Sequence, residues 1–225
     1  MALQKQDIDR FMGQVRTKLA GASDAGIKAE LFEVLDEFCD DSSAWQEQIT
    51  LTVLPPTAQS NNLIYDLVPQ QGGTIIRLVA VFDPNQIPVP AFLPTGSQQN
   101  TEVGQLNLVN PVNTSQVLTV IVTKTVLLPT QRDQIPDFDQ TLFRRYLRTM
   151  IDGTLGKMMG HQSKSYSNAA GSTYHLTKYN DGKAMARVAT ARQNTFGAQA
   201  WSYPQQFRSH GQRGGVSTAN PTRFG

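Results

Sequence analysis

The 225-residue chain has a single cysteine, Cys39, so no internal disulfide can brace it, and a reducing compartment fits that usage. It also lacks long apolar runs. The longest, 78–82 and 117–122, fall far short of the roughly 20 residues a membrane span requires. The first 21 residues are amphipathic and contain Asp7, Asp9, Arg10 and Arg16, which does not suit a secretory leader. Charge is scarce too: Asp, Glu, Lys and Arg make up 17% of the chain, and no glutamate follows Glu102. A free cytosolic enzyme usually carries more. A surface rich in Gln, Asn, Ser and Thr suits a protein whose faces end up inside an assembly.

Signatures of chemistry are missing as well. There is no GxSxG, P-loop or GxGxxG, and Gly153, Gly156 and Gly160 have helical spacing, not that of a phosphate loop. His161, His175 and His210 stand 14 and 35 residues apart with no Cys pair or HExxH, which is wide for metal ligands. They read as solvent-facing or hydrogen-bonded. Cys39 precedes Asp40 and Asp41, whose charges disfavour a thiolate, so it reads as a buried or half-buried helix cysteine. Asp137 and Asp139 sit at an expected helix start and read as caps. Asn113-Thr-Ser matches a glycosylation sequon by accident, since nothing else indicates secretion. The expectation is a non-enzyme with no catalytic residue, no metal and no cofactor.

What the chain does have is an uneven charge. Residues 1–130 carry 13 acids and 7 bases, a net −6, whereas 131–225 carry 5 acids and 13 bases, a net +8. Such asymmetry points to a surface or tail meant for an oppositely charged partner.

Two amphipathic helices open the chain. Ile8, Phe11, Met12, Val15 and Leu19 form one helical stripe, and Ile27, Leu31, Val34, Leu35 and Phe38 form a second over 27 to about 40, with Ser23 or Asp24 as N-cap. At Trp45 the period changes to two. Strands are expected at 49–53, 63–68, 74–82, 103–109 and 117–127. Residues 74–82 are apolar on both faces, which suggests a central strand. Pro84, Pro88, Pro90, Pro94 and the 96–100 stretch read as a long exposed loop. Five or six strands at this spacing make a small antiparallel sandwich or barrel.

Helix returns at Pro136-Asp137, with Phe138, Leu142, Tyr146, Met150 and Ile151 as its stripe, and the glycines thinning it out near its end. Residues 165–168 look like a cap for a last helix reaching about 191. Ala170, Gly182, Ala186 and Ala189 suggest that it packs closely on a neighbour.

Residues 194–225 differ from everything before. They hold no acid, five glycines and three arginines, with Val216 the one aliphatic beyond alanine. That is too little apolar material for a core, so the segment reads as an arm. Its candidate partner-binding residues, with Arg192 just before it, are Arg192, Phe196, Trp201, Tyr203, Phe207, Arg208, Arg213, Arg223 and Phe224. Arginine and aromatic side chains together suit either a protein partner or nucleic acid; the protein partner is preferred because no RNA-binding module is recognisable. The fold class is therefore α+β: a helical bundle (1–43 and 131–193), an inserted small antiparallel β-sandwich or barrel (44–130) and an extended C-terminal arm (194–225).

The segment FDQTLFRRYLRTMIDGTLGKMM at 138–159, the Lys164-Ser-Tyr-Ser-Asn168 turn and 174–188 together resemble the C-terminal half of head-to-tail adaptor (connector, head-completion) proteins of tailed bacteriophages. The positions that carry the resemblance are Tyr146, Ile151, Gly153, Leu155, Tyr166, Ser167, Asn168 and Tyr174. The order before it also fits, with N-terminal helices, Trp45, a strand at 49–55 and an inserted β-domain. Tyr166 stands where tryptophan is frequent, and Ser163-Lys164-Ser165 replaces the usual Lys-Pro. The resemblance implies a homo-oligomeric ring, by family habit a dodecamer, made in the host bacterial cytoplasm and placed in the virion at the head–tail junction. It would dock on the portal protein, extend the DNA channel with passing contact to genomic DNA, and offer a surface to tail or nozzle proteins, with no membrane involved. Two alternatives stay open: a tail terminator or stopper ring, and a nucleic-acid-binding protein that uses its basic arm.

Overall fold

A computed structural model describes residues 3–57, 63–70, 72–94, 104–127 and 134–194. Helices and antiparallel strands are both present, so the chain is α+β. Helix α1 spans Lys5–Arg16 and buries Ile8, Phe11, Met12 and Val15. Leu19 lies past the helix end, yet it is buried as the stripe implied. Helix α2, Asp24–Ser42, begins a turn earlier than its apolar stripe, because Ser23 caps it: the Ser23 hydroxyl accepts the Gly26 N–H at 3.2 Å.

Six strands follow: β1 (Gln46–Val53), β2 (Ile64–Leu67), β3 (Thr74–Phe82), β4 (Ala91–Phe92), β5 (Gly104–Leu108) and β6 (Gln116–Thr125). They form two three-stranded antiparallel sheets, ordered β1-β6-β3 and β2-β5-β4. Ile49 and Val53 from β1, Leu67 from β2, Leu106 and Leu108 from β5, and Leu118, Val120 and Val122 from β6 share one apolar cluster.

The expectation of a central strand at 74–82 is corrected. The centre is β6, and β3 is an edge. Apolar content on both faces reports what covers a strand, not how many strands flank it. Here β3 shifts register twice, between Ile75 and Arg77 and between Leu78 and Ala80. The chain then returns along its open side, where the Val89 N–H donates to the Val81 carbonyl at 2.9 Å. Part of the stretch read as loop is thus strand and strand cover, and β4 was missed because its flanking prolines mimic a loop.

The helices after the sheets also differ from expectation. Pro136 to Phe138 is not helical; α3 runs Gln140–Arg145 and is capped by Asp139, whose carboxylate accepts the Leu142 N–H at 2.8 Å. Asp137 is not that cap. A break at Tyr146 separates α3 from α4, Leu147–Gly160, and Phe143, absent from the expected stripe, is fully buried. Gly153 and Gly156 do not thin α4 out. A Cβ at Gly153 would come within 2.9 Å of Val34 and Tyr179, and one at Gly156 within 2.9 Å of Leu176, so these are points of close helix approach. Helix α5, Ala169–Gln193, opens at Asn168, whose side-chain oxygen accepts the Gly171 N–H at 2.9 Å. Ala186 and Gly182 pack closely as expected, but Ala170 is exposed at the helix start. No helix among the described residues is long and apolar enough to cross a membrane.

The strands and helices meet at a buried charge. Lys124, near the end of β6, has no exposed side-chain surface; its Nζ pairs with Glu47 Oε2 at 2.7 Å, donates to the Gly72 carbonyl at 2.6 Å and lies 4.4 Å from the Trp45 ring centre. Glu47 also accepts the Gln70 N–H at 2.9 Å. Trp45 meets Phe138 edge-on at 5.0 Å, and Phe138 and Phe143 continue the aromatic row to Phe11 of α1. Beside it Gly73 takes a left-handed φ of 75°, and a Cβ there would approach Trp45 and the Thr125 carbonyl at 2.7 Å. Lys124→Met alone should cost about 3–5 kcal/mol in urea unfolding, because it strands a buried carboxylate, while adding Glu47→Leu should restore most of the loss.

Candidate interaction surfaces

Helix α5 is clamped onto the fold along one face. The Tyr179 ring fits against Gly153, and its hydroxyl donates to the Val34 carbonyl of α2 at 2.8 Å. Lys183 pairs with Glu37 and, at 2.6 Å, with Asp41, and its ammonium lies 4.6 Å from the Tyr179 ring centre. Burial alone would lower the Lys183 pKa; the hydrogen bonds to Asp41 and Glu37 outweigh it and hold the pKa above its usual value. Arg187 adds a 2.8 Å bond to the Asp41 carbonyl.

The opposite face of α5 is exposed among the described residues. Tyr174, Lys178, Asp181, Met185 and Val188 recur at steps of four and three, which aligns them on one side of a helix. Met185 is 72% exposed and Tyr174 60%. Of the nine arm residues singled out in the sequence, Arg192 is exposed in the last turn of α5. Phe196, Trp201, Tyr203, Phe207, Arg208, Arg213, Arg223 and Phe224 lie outside the described residues.

A second surface belongs to the strands. Leu54, Ile64, Val68, Ile87, Phe92, Val109 and Val117 are all exposed large apolar side chains. Register places Ile64 and Phe92 on either side of Asn107, in one row across the β2-β5-β4 sheet. Between Asp83 and Lys124 the sequence contains one charged residue, Glu102, while Asp66 of β2 is exposed beside Ile64.

The residues considered for chemistry have structural partners. Cys39 is fully buried in α2; burial first, and the Asp36 charge second, push its thiol far above the usual range. His175 is buried and its Nδ1 lies 2.7 Å from Asp152 Oδ1. His161 is half exposed, 3.6 Å from Glu30, whose carboxyl pKa is raised by burial and by Glu33. His210 is outside the described residues, among which no cluster of three His, Cys, Asp or Glu side chains could hold a metal. Asp7 is one that sequence reasoning passed over. Arg144 reaches it at 2.7 Å from α3, as does Gln140, and these bonds hold its carboxyl below the usual range.

No protein-family model matches the chain, and no curated protein matches it.

Two outcomes follow from these environments. A disulfide reagent such as DTNB should leave Cys39 untouched in native protein and modify it fully in guanidinium, since neither access nor a thiolate is available in the fold. The stability that Asp7 contributes is complete above its unfolded-state pKa and is lost as pH falls through the lower folded value. Thermal melts of wild type and Asp7→Asn should therefore differ at neutral pH and converge once the pH has dropped below the usual carboxylate range.

Proposed function

We propose that the chain is a structural, non-enzymatic virion subunit, a head-to-tail adaptor of a tailed bacteriophage. In this reading its copies close into a ring, by family habit of twelve, that docks on the portal, extends the DNA channel and presents a surface to tail proteins. The helices form the bundle, the two sheets form an inserted sandwich, and residues 194–225 form the arm that reaches the portal.

The observation that carries this reading is the strand surface. Seven large apolar side chains are exposed in and beside the strands of the two sheets, and Ile64 and Phe92 share one row across β2-β5-β4, which suits burial against neighbouring subunits. A ring built from heterologous contacts needs two such side faces on every subunit. The composition of 194–225, with arginine and aromatic residues and no acid, adds support. In this reading the arm adds contacts to a docked partner without rebuilding the main interface.

Native mass spectrometry and electron microscopy of the chain mixed with its portal protein test the reading. A closed ring seated on the portal is expected, and deletion of 194–225 should leave a folded subunit that no longer joins portal-containing heads. A strictly monomeric chain with no portal affinity overturns the proposal. Wild-type occupancy by the truncated chain overturns the role given to the arm.

A further inference from the structure

A wide concavity lies away from the strands, among the helices. It is an open groove of about 970 Å³ between α1, the α3–α4 break and α5. Six cations line it: Arg10 of α1, Lys18 just past that helix, Arg144 and Arg145 of α3, Arg148 of α4 and Lys178 of α5. Arg144 is neutralised by Asp7. Arg10, Lys18, Arg145, Arg148 and Lys178 are all exposed, and none forms an ion pair among the described residues. Two acids, Asp152 and Asp181, share the groove, and Asp152 is already bonded to His175. A fold that leaves five cations facing one groove, while pairing Lys157 and Lys183 elsewhere with α2 carboxylates, has an unspent positive field there.

We propose that this groove binds the phosphate backbone of nucleic acid. The proposal goes beyond the adaptor reading and does not depend on it. Its lining distinguishes the occupant. Eleven of the sixteen lining residues are charged or polar, against the apolar Leu147, Ile151 and Met185, so the lining favours a sugar-phosphate chain over the apolar stripe of a partner helix. Three of the unpaired or partly paired cations are arginines within five positions, 144 to 148, and the guanidinium fork suits phosphate oxygens. Tyr174 stands at the wall with its ring exposed and its position set by an edge-on contact to His175 at 5.2 Å. It offers a face on which an unpaired base can stack.

The test uses the full chain and fluorescence anisotropy with a labelled 20-nucleotide single strand and the matching duplex at about 50 mM salt. Two walls are probed separately, by Arg145→Ala/Arg148→Ala/Lys178→Ala and by Arg10→Ala/Lys18→Ala; a third variant, Arg208→Ala/Arg213→Ala/Arg223→Ala, removes the arm's charge. All substituted groove side chains are exposed, and an unchanged circular dichroism melt establishes that each variant folds. The expected result is binding that weakens steeply with salt. The triple groove variant should lose at least about tenfold in affinity and flatten the log–log salt slope by about 2 to 3, roughly one unit per lost phosphate contact. The opposite-wall variant should weaken binding in the same sense, and the arm variant should retain binding. Undiminished binding by both groove variants overturns the proposal. So does absence of binding to either nucleic acid, and so does binding of poly-glutamate in its place, which would make the groove a site for an acidic protein segment.

Discussion

One buried ammonium organises this molecule. Lys124 has no water to solvate it, so its charge must be met by Glu47, by the Gly72 carbonyl and by the face of Trp45. These partners come from β1, from the turn before β3 and from the residue that leads out of α2. Such a pair adds little net stability over an apolar replacement; its effect is on selectivity. Any arrangement that parts β1 from β6, or lifts the 70–73 turn away, leaves an ion in a dry interior. The aromatic row from Trp45 through Phe138 and Phe143 to Phe11 then carries that constraint into the helices.

The charge asymmetry of the sequence takes a specific form in three dimensions. Most acids of α2 are paired with cations, some of them at the surface: Glu37 and Asp41 hold Lys183, Glu37 also holds Lys157, Asp40 meets Arg77 and Asp24 meets Arg16. Arg10 of α1, Arg145 of α3, Arg148 of α4 and Lys178 of α5 are left without an ion pair among the described residues. Unpaired positive side chains therefore occur in the net negative part of the sequence too, at Arg10 and Lys18. The charged helices and the charge-poor 84–123 stretch differ in surface chemistry.

Much of the local structure was legible. The stripes of α1 and α2, the alternation in β1 and β6 and the Asn168 cap follow from periodicity and capping chemistry that single residues carry. What was not legible depended on residues distant in sequence. Nothing near Lys124 reveals that Glu47 will neutralise it: the alternation of β6 puts position 124 on the buried side with Leu118, Val120 and Val122, but the partner for its charge comes from β1. Gly153 and Gly156 read as helix weakeners because their benefit, the approach of Val34, Tyr179 and Leu176, lies on other elements. The basic groove was invisible for the same reason: Arg10, Arg148 and Lys178 belong to three helices and become neighbours only through the packing.

The strand order β1-β6-β3 has a consequence for how the molecule comes into being. Neither β1 nor β3 pairs with the other; both pair with β6, the last of the six strands to leave the ribosome. The N-terminal helix α2 likewise packs on α4, which is made later still. Half of the chain thus emerges with unpaired edges and an uncovered apolar stripe, and closure waits for the second half. Long-range closure of this sort slows folding and leaves the nascent chain open to chaperones until synthesis is nearly complete.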